Sequence, residues 1–391
     1  MAKLIDITGK ALSGEWGNDD NTGTGIPVLR TTNFTNEGII NYNNVVTRQI
    51  TKKDLSKKYL RTGDIIIEKS GGSDNQPVGR VVFFDGEDNK YLFNNFTGVL
   101  RVVDREKWMP RYVFYSLYAN YLKGGTRPFE NKTTGLHNLK TDSYVESVEI
   151  IGVPFEEQRV IINLLDKLTT LISLRKQQLS KLDELVKARF VELFGTENEL
   201  EKWPCCTIGD VADVCVGVVI KPTQYYTDNG IPAFRSLNIG EMRVKDSDWV
   251  YFTEEGHQKN PKSIIRKNDV LVVRSGAPGT ACVATEKYDG YNAVDIIIAH
   301  PDNSKVNSVF LAAFTNMPHG MNQIRAKTGG AAQQHFNVGG YKAMNLIMPS
   351  LELQNQFAAF VEQTDKSKLE IEKSLEKLET LKKALMQKYF G

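Results

Sequence analysis

GIPVLRTTNF at residues 25–34 returns as GIPAFRSLNI at residues 230–239. Gly25, Ile26, Pro27, Arg30 and Asn33 thus recur, 205 positions on, as Gly230, Ile231, Pro232, Arg235 and Asn238. The register then holds: Gly63-Asp64-Ile65-Ile66-Ile67-Glu68-Lys69-Ser70-Gly71 comes back at the same offset as Asn268-Asp269-Val270-Leu271-Val272-Val273-Arg274-Ser275-Gly276. Further on, Pro154 and Gln158 are echoed by Pro349 and Gln354, and the Leu-rich stretch ending Phe194-Gly195 by the one ending Phe390-Gly391, where the offset has shrunk to 196. A repeat of this length decides the architecture before any single element does. One unit, a globular part followed by a long helical part, is used twice in tandem.

From residue 156 to about residue 194 Gly and Pro disappear, and apolar positions alternate between spacings of four and three: Ile161, Leu165, Leu168, Ile172, then Leu179, Leu182, Val186 and Leu193, interrupted by Arg175 and Arg189. Such spacing is a heptad seam. The second copy starts with Phe357 and Val361, passes a polar patch at Thr364 and Lys368, and resumes with Ile371, Leu375, Leu378 and Leu385. Mixed charges such as Glu370, Lys373, Glu376 and Lys377 fill its other faces, as on a solvated helix. Gly195 and Gly391 stand where glycine is favoured, just past a helix C-terminus. Spacer helices are therefore expected at residues 156–195 and 351–391. The first must deliver the chain to the second globular part. The second has no further domain to reach, so its apolar stripe needs the first helix as partner. The expectation is an antiparallel coiled coil, a rod of about 57 Å for about 38 residues at 1.5 Å each, with a head at each end and an approximate two-fold axis across its middle. The polar patch breaks the second seam and leaves that end to a partner rather than to the first helix.

Heads are expected at residues 1–155 and 196–350, each mixed α and β, which makes the fold class α+β with a pseudo-two-fold internal repeat. Strand-like runs cover residues 63–69, 79–84 and 93–103 in the first head and 269–274 and 281–285 in the second, with Gly, Asn, Asp and Pro between them. RYVFYSLYANY at 111–121 spaces its aromatics as a core-facing helix does, and residues 309–317 are its second-copy partner. Lys69-Ser70-Gly71 and Arg274-Ser275-Gly276 place a long cation and a hydroxyl at a strand-end turn, where both reach a phosphate or a base edge. The plain alternative is a strand end with a snorkelling cation and a turn glycine. Arg30, Asn33, Arg235 and Asn238 are candidates of the same kind because both copies carry them. Elsewhere the heads diverge, as in residues 126–134 against 325–334, and from these loops Arg127, Lys132, Lys327 and Gln334 join the candidates. A shared scaffold with different loops fits two heads reading two different ligands.

The 391 residues are 41% hydrophobic, enough for two or more cores. With 49 basic residues against 47 acidic ones the formal charge is only +2, so gross charge does not mark a nucleic-acid binder and local patches must carry any such role. Cys205, Cys206, Cys215 and Cys282 form no Cys-x-x-Cys pair and have no first-copy counterparts; they read as buried, reduced thiols of a cytoplasmic protein rather than zinc ligands. The amino terminus lacks a signal peptide's apolar core, and no apolar run approaches the roughly 20 residues of a membrane span. There is no Gly-x4-Gly-Lys-Ser/Thr loop, and no Pro-Pro dipeptide for an Asn/Asp-Pro-Pro-aromatic motif of the amino-methyltransferase kind. His137, His257, His300, His319 and His335 show no metal-ligand spacing. Asp64, Glu68 and Lys69 mimic a metal-dependent nuclease, yet the second copy has Val273 in place of Glu68, and neighbouring strand residues face opposite ways.

Two tandem units, each with an early Ile-Pro, an Arg-x2-Asn, a strand of the form Gly/Asn-Asp-apolar-apolar-apolar-x-Lys/Arg-Ser-Gly and a Pro-to-Gln step into a long Leu-rich helix, make the whole chain resemble the specificity (S) subunit of type I restriction-modification enzymes. The resemblance implies that each head is a target recognition domain reading one half of a bipartite double-stranded DNA sequence. It implies that the helices are the conserved regions, docking two methyltransferase subunits and through them the restriction/translocase subunits. It also implies a non-catalytic chain without a cofactor of its own, S-adenosylmethionine and ATP with Mg being held by the partners. On the residues alone two other readings stay open: a self-contained bipartite nuclease or modification enzyme, and a two-headed coiled-coil adaptor.

Overall fold

A computed structural model of the chain describes every residue except 53, 134–135 and 329–334. The chain divides into two compact units, Met1–Arg175 with Ser374–Gly391 and Lys176–Lys373. The repeated sequence builds the same pair of sheets in each. In the first unit one sheet is ordered Leu12–Ser13, Thr97–Leu100, Ile65–Glu68, Val81–Phe83, antiparallel throughout. In the second unit the order is Ala212–Val216, Ile296–Pro301, Val270–Val273, Ala281–Val283. All residues of Ile65–Glu68 and Val270–Val273 are buried, the apolar ones as a short continuous apolar run predicts and Glu68 against Arg80. Alternation then sorts them between two cores: Ile65 and Ile67 join the helix Pro110–Leu122, and Ile66 joins Leu29, Phe34 and Phe93. The Ile-Pro segments form Ile26–Leu29 and Ile231–Phe234 in the other sheet. Each runs antiparallel to Val46–Gln49 or Val250–Phe252 and parallel to Leu92–Phe93 or Asn292–Ala293.

The aromatic stretch forms Pro110–Leu122 with Tyr112, Phe114, Tyr115 and Tyr118 buried, and Ser308–Asn316 is its counterpart. One expected strand is in fact two. Leu92–Phe93 pairs with Ile26–Leu29 and Thr97–Leu100 with Ile65–Glu68, so the run at 93–103 is cut by a tight turn at 94–97. Its cause is local: the Thr97 N–H and hydroxyl both donate to the Asn94 carbonyl, at 3.1 and 2.9 Å. The thiol expectation also needs correction, because only Cys282 is buried: Cys206 and Cys215 are half-buried, and Cys205 is exposed at the start of Cys205–Thr207, one of the two strands of a small ladder.

The long helices run over Phe155–Phe194 and Leu351–Phe390, 40 residues each. In the first unit Ile161, Ile162 and Leu165, from the start of one, share a core with Met386, from the end of the other. In the second unit Val186, Phe190 and Phe194 share a core with Phe357 and Val361. Start packed against end is antiparallel pairing. The seam's last step differs from the expected Leu193: Phe190 and Phe194 are the more buried, because the helix there packs on Phe310 of the head, ring centroids 5.8 and 4.9 Å away, as well as on Phe357. Lys368 also corrects an expectation. The polar patch meets the first helix, with Lys368 Nζ 2.8 Å from Asp183 Oδ1 and the buried Thr364 hydroxyl donating to the Phe360 carbonyl. Among the described residues no helix is long and apolar enough to cross a membrane.

The Pro-to-Gln echo is a clasp. Gln158 and Gln354 are buried. Gln158 Oε1 accepts the N–H of Met109, the residue before Pro110–Leu122, at 2.9 Å, while its amide donates to the Lys107 and Val153 carbonyls at 2.9 and 3.1 Å. Gln354 Oε1 accepts the N–H of Asn307, the residue before Ser308–Asn316, at 2.9 Å and its amide donates to the Pro349 carbonyl. Leucine at either position leaves an inward-facing N–H and one or two carbonyls without the buried amide that pairs them, a loss on the order of 2–4 kcal/mol. Urea unfolding should show this loss for Gln158→Leu and Gln354→Leu and none of that size for Gln177→Leu, which is exposed on the first long helix.

Candidate nucleic-acid interface

In each unit the central strand ends at a basic-Ser-Gly turn. In the first, the Lys69 carbonyl accepts the Leu139 N–H at 2.8 Å, and Ser70–Gly72 continues into a three-stranded ladder with Leu136–Leu139 and Glu130–Thr133. Gly71 has φ +132°, and a Cβ on Gly72 would lie 2.4 Å from the Val78 nitrogen, so the path needs glycine. Arg127 is exposed at the start of Arg127–Phe129, the 3-10 turn that leads into the ladder. The ladder thus gathers Lys69, Ser70, Gly71, Arg127 and the backbone of Lys132 from two separate stretches of sequence; the Lys132 side chain lies outside the description. A further residue arrives here that the sequence reading missed. The Phe96 carbonyl accepts the N–H groups of both Lys69 and Ser70, at 2.8 and 3.2 Å, and the Phe96 side chain is 53% exposed. Reading residues 93–103 as one strand hid it; the paired turn formers Asn94-Asn95 were the available signal.

The second unit keeps one backbone bond of this turn and changes its path and its chemistry. The Arg274 carbonyl accepts the Phe336 N–H at 3.0 Å, as Lys69 does from Leu139. The Arg274 side chain, however, is only 14% exposed, with Nη1 2.6 Å from Asp295 Oδ1 and Nε donating to the Phe336 carbonyl at 3.2 Å. Arg274 is therefore not the exposed strand-end cation expected. Strand register puts Asp295, at φ +50°, where the first unit has Phe96, and its carboxylate holds the guanidinium down. Ser275 Oγ lies 2.7 Å from His335 Nδ1, and Gly276 (φ +87°) borders open space. Lys327 Nζ donates to the Gly340 and Ala343 carbonyls at 3.1 and 2.8 Å, which ties it to the end of the short helix Val338–Lys342. Gln334 lies outside the described residues.

Asn33 and Asn238 are corrected as well. Both are buried; Asn33 Oδ1 accepts the Arg30 N–H at 3.0 Å and Asn238 Oδ1 the Arg235 N–H at 2.9 Å, while their amides donate to the Asn41 and Ser247 carbonyls. They recur because each closes the turn after the Ile-Pro strand, and nothing of them is presented to a ligand. Arg30 and Arg235 remain partly exposed, the latter donating to the Asp248 carbonyl. The carboxylates of the nuclease-like pattern are each held by an arginine fork: Asp64 by Arg101 in two bonds of 2.7 Å, Glu68 by Arg80 at 3.1 and 2.8 Å.

Asp269, the buried counterpart of Asp64, has a different partner. His300 occupies the Arg101 position in strand register, and its Nδ1 lies 2.6 Å from Asp269 Oδ1. The hydrogen bond to Asp269, then the one to Cys215, raise the His300 pKa from 6.5 to about 9 against the opposing effect of burial. Folding stabilises the imidazolium, so this contribution is complete below the unfolded value of 6.5 and is lost as pH rises through about 9. Urea unfolding should lose on the order of 2–3 kcal/mol across that window. His300→Arg, which installs the first unit's residue, should flatten the profile.

Comparison with known proteins places these observations. A family model described as the type I restriction modification DNA specificity domain matches residues 2–184 and again residues 200–383. The type I restriction enzyme MjaVIII specificity subunit of Methanocaldococcus jannaschii is 23% identical over 242 residues, 56% of this chain and 55% of that protein, so the match spans about half the length of that relative. The StySPI specificity subunit of Salmonella potsdam is 21% identical over 403 residues, covering 93% of this chain and 81% of that one. The crystal structure of a type I restriction-modification S subunit from M. genitalium aligns with a TM-score of 0.59 at 14% identity, covering 100% of this chain and 95% of that chain, which shows a shared fold.

Proposed function

Because the chain belongs to the type I restriction modification DNA specificity family and carries its domain twice, we propose that it is the DNA-recognition subunit of a type I restriction-modification complex, each head reading one half of a bipartite target. The observation that carries this reading is one central sheet built twice and ending in turns of different chemistry: Lys69 beside exposed Phe96 in one head, Arg274 clamped by Asp295 in the other. A common sheet scaffold with unlike turns and side chains suits two heads that contact unlike sequences. In this reading the chain does no chemistry itself. The long helices set the unread spacer and dock the methyltransferase subunits, which hold S-adenosylmethionine, while the restriction subunits hold ATP and Mg. A formal charge of +2 suits a reader whose partners supply part of the phosphate attraction.

Exchanging residues 1–150 for the equivalent segment of a relative should change one half of the methylated target, mapped by sequencing host DNA, and leave the other half intact. Changes in both halves contradict modular reading. In the assembled complex Lys69→Ala should weaken DNA binding. A phosphate contact lowers affinity for all sequences alike and reduces the salt slope by about one, whereas a base contact costs about 1–3 kcal/mol at one position. Asn33→Ala should instead lower the stability of the fold, and DNA affinity that survives Lys69→Ala at both low and moderate salt excludes Lys69 from the interface.

A further inference from the structure

We infer that Phe96 is the side chain with which the first head wedges a base step of its half-site, Lys69 lying on a flanking phosphate; the inference rests on the DNA-recognition reading above. Phe96 is exposed, yet its turn is tightly held. Asn94 and Thr97 on either side are buried, with the Thr97 hydroxyl bonded to the Asn94 carbonyl and Oδ1 at 2.9 and 3.2 Å, and the Asn94 N–H donates to the Leu29 carbonyl at 3.0 Å. The Phe96 carbonyl is held by the N–H groups of Lys69 and Ser70. Gly14 presses on the other side, where a Cβ would lie 2.1 Å from the Asn94 carbonyl oxygen. These anchors fix the peptide and leave the ring outside, so its exposure is a property of the ordered fold.

The surroundings favour a polyanion. Lys69 adjoins Phe96, its stem running along Gly98; Glu15 is engaged by Lys52 and Lys58 and Glu68 by Arg80, while the exposed Asp74 lies 3.6 Å from His137 on the ladder. A rigidly presented apolar side chain beside a cation has the form of a minor-groove wedge, which unstacks a base step while basic neighbours hold the phosphates. At the equivalent position the second head has Asp295, bound to Arg274, so the effect belongs to one half-site.

The test uses the chain assembled with its methyltransferase subunits and a duplex carrying the methylated target mapped from the host genome. Phe96→Ala should weaken binding about 5- to 150-fold, the range for loss of one base-stacking side chain, and Phe96→Leu, which keeps an apolar wedge, should lose about threefold or less. With 2-aminopurine placed in turn along the first half-site, the wild-type complex should brighten at one step, and Phe96→Ala should lose that signal while keeping any signal at the base being methylated. Unchanged affinity and an unchanged 2-aminopurine pattern in Phe96→Ala overturn the wedge and leave DNA recognition standing. Weaker assembly of Phe96→Ala with the methyltransferase subunits in the absence of DNA puts the ring at a protein interface and overturns it too. Failure of the wild-type complex to bind the duplex removes the DNA reading itself, and the wedge with it.

Discussion

One buried amide per unit sets the frame on which each head is built. Gln158 and Gln354 join the start of a long helix to the start of the head's aromatic helix through hydrogen bonds to particular backbone groups. Apolar packing alone tolerates sliding of one helix along another, but a buried N–H that loses its acceptor costs free energy at once. The clasp therefore fixes the register between helix and head that the Phe190, Phe194 and Phe357 packing, or that of Ile161 and Leu165, then fills. The aromatic helix lies on the central sheet from that fixed start, and the sheet delivers the basic-Ser-Gly turn at its far end.

Recurrence and divergence between the two halves carry different information. Positions that recur with buried side chains serve folding: Asn33 and Asn238 close a turn, Gln158 and Gln354 clasp a helix, Asp64 and Asp269 receive a cation at the start of the central strand. Positions where the halves differ at the same place on the sheet are where their chemistry separates. Arg101 against His300 keeps a buried carboxylate paired while making one unit sensitive to mildly alkaline pH. Phe96 against Asp295 decides whether the neighbouring cation is available or clamped. Recurrence alone makes Arg274 equivalent to Lys69; the residue that separates them comes from the bend before the neighbouring strand Ile296–Pro301.

The two-unit organisation and the long helices were legible in the sequence, because a repeat and a seven-residue apolar period are properties of the linear chain; the antiparallel sense followed from connectivity, and the family from a resemblance carried by the order of the repeated motifs. The strand ending in Lys69 or Arg274 and the aromatic helix were legible for the same reason. What only the tertiary structure decided is which candidate side chains remain available. Asn33 looks like a reader until its amide is seen closing a turn, Lys327 until its ammonium is found on two carbonyls, and Phe96 looks like strand interior until Asn94 and Thr97 turn it outward. Hydrogen-bond partners and exposure depend on groups far apart in the chain, such as Arg274 with Asp295 or Ser275 with His335. Periodicity along the chain selects helices and strands, whereas the availability of a polar group is set by what folding brings next to it.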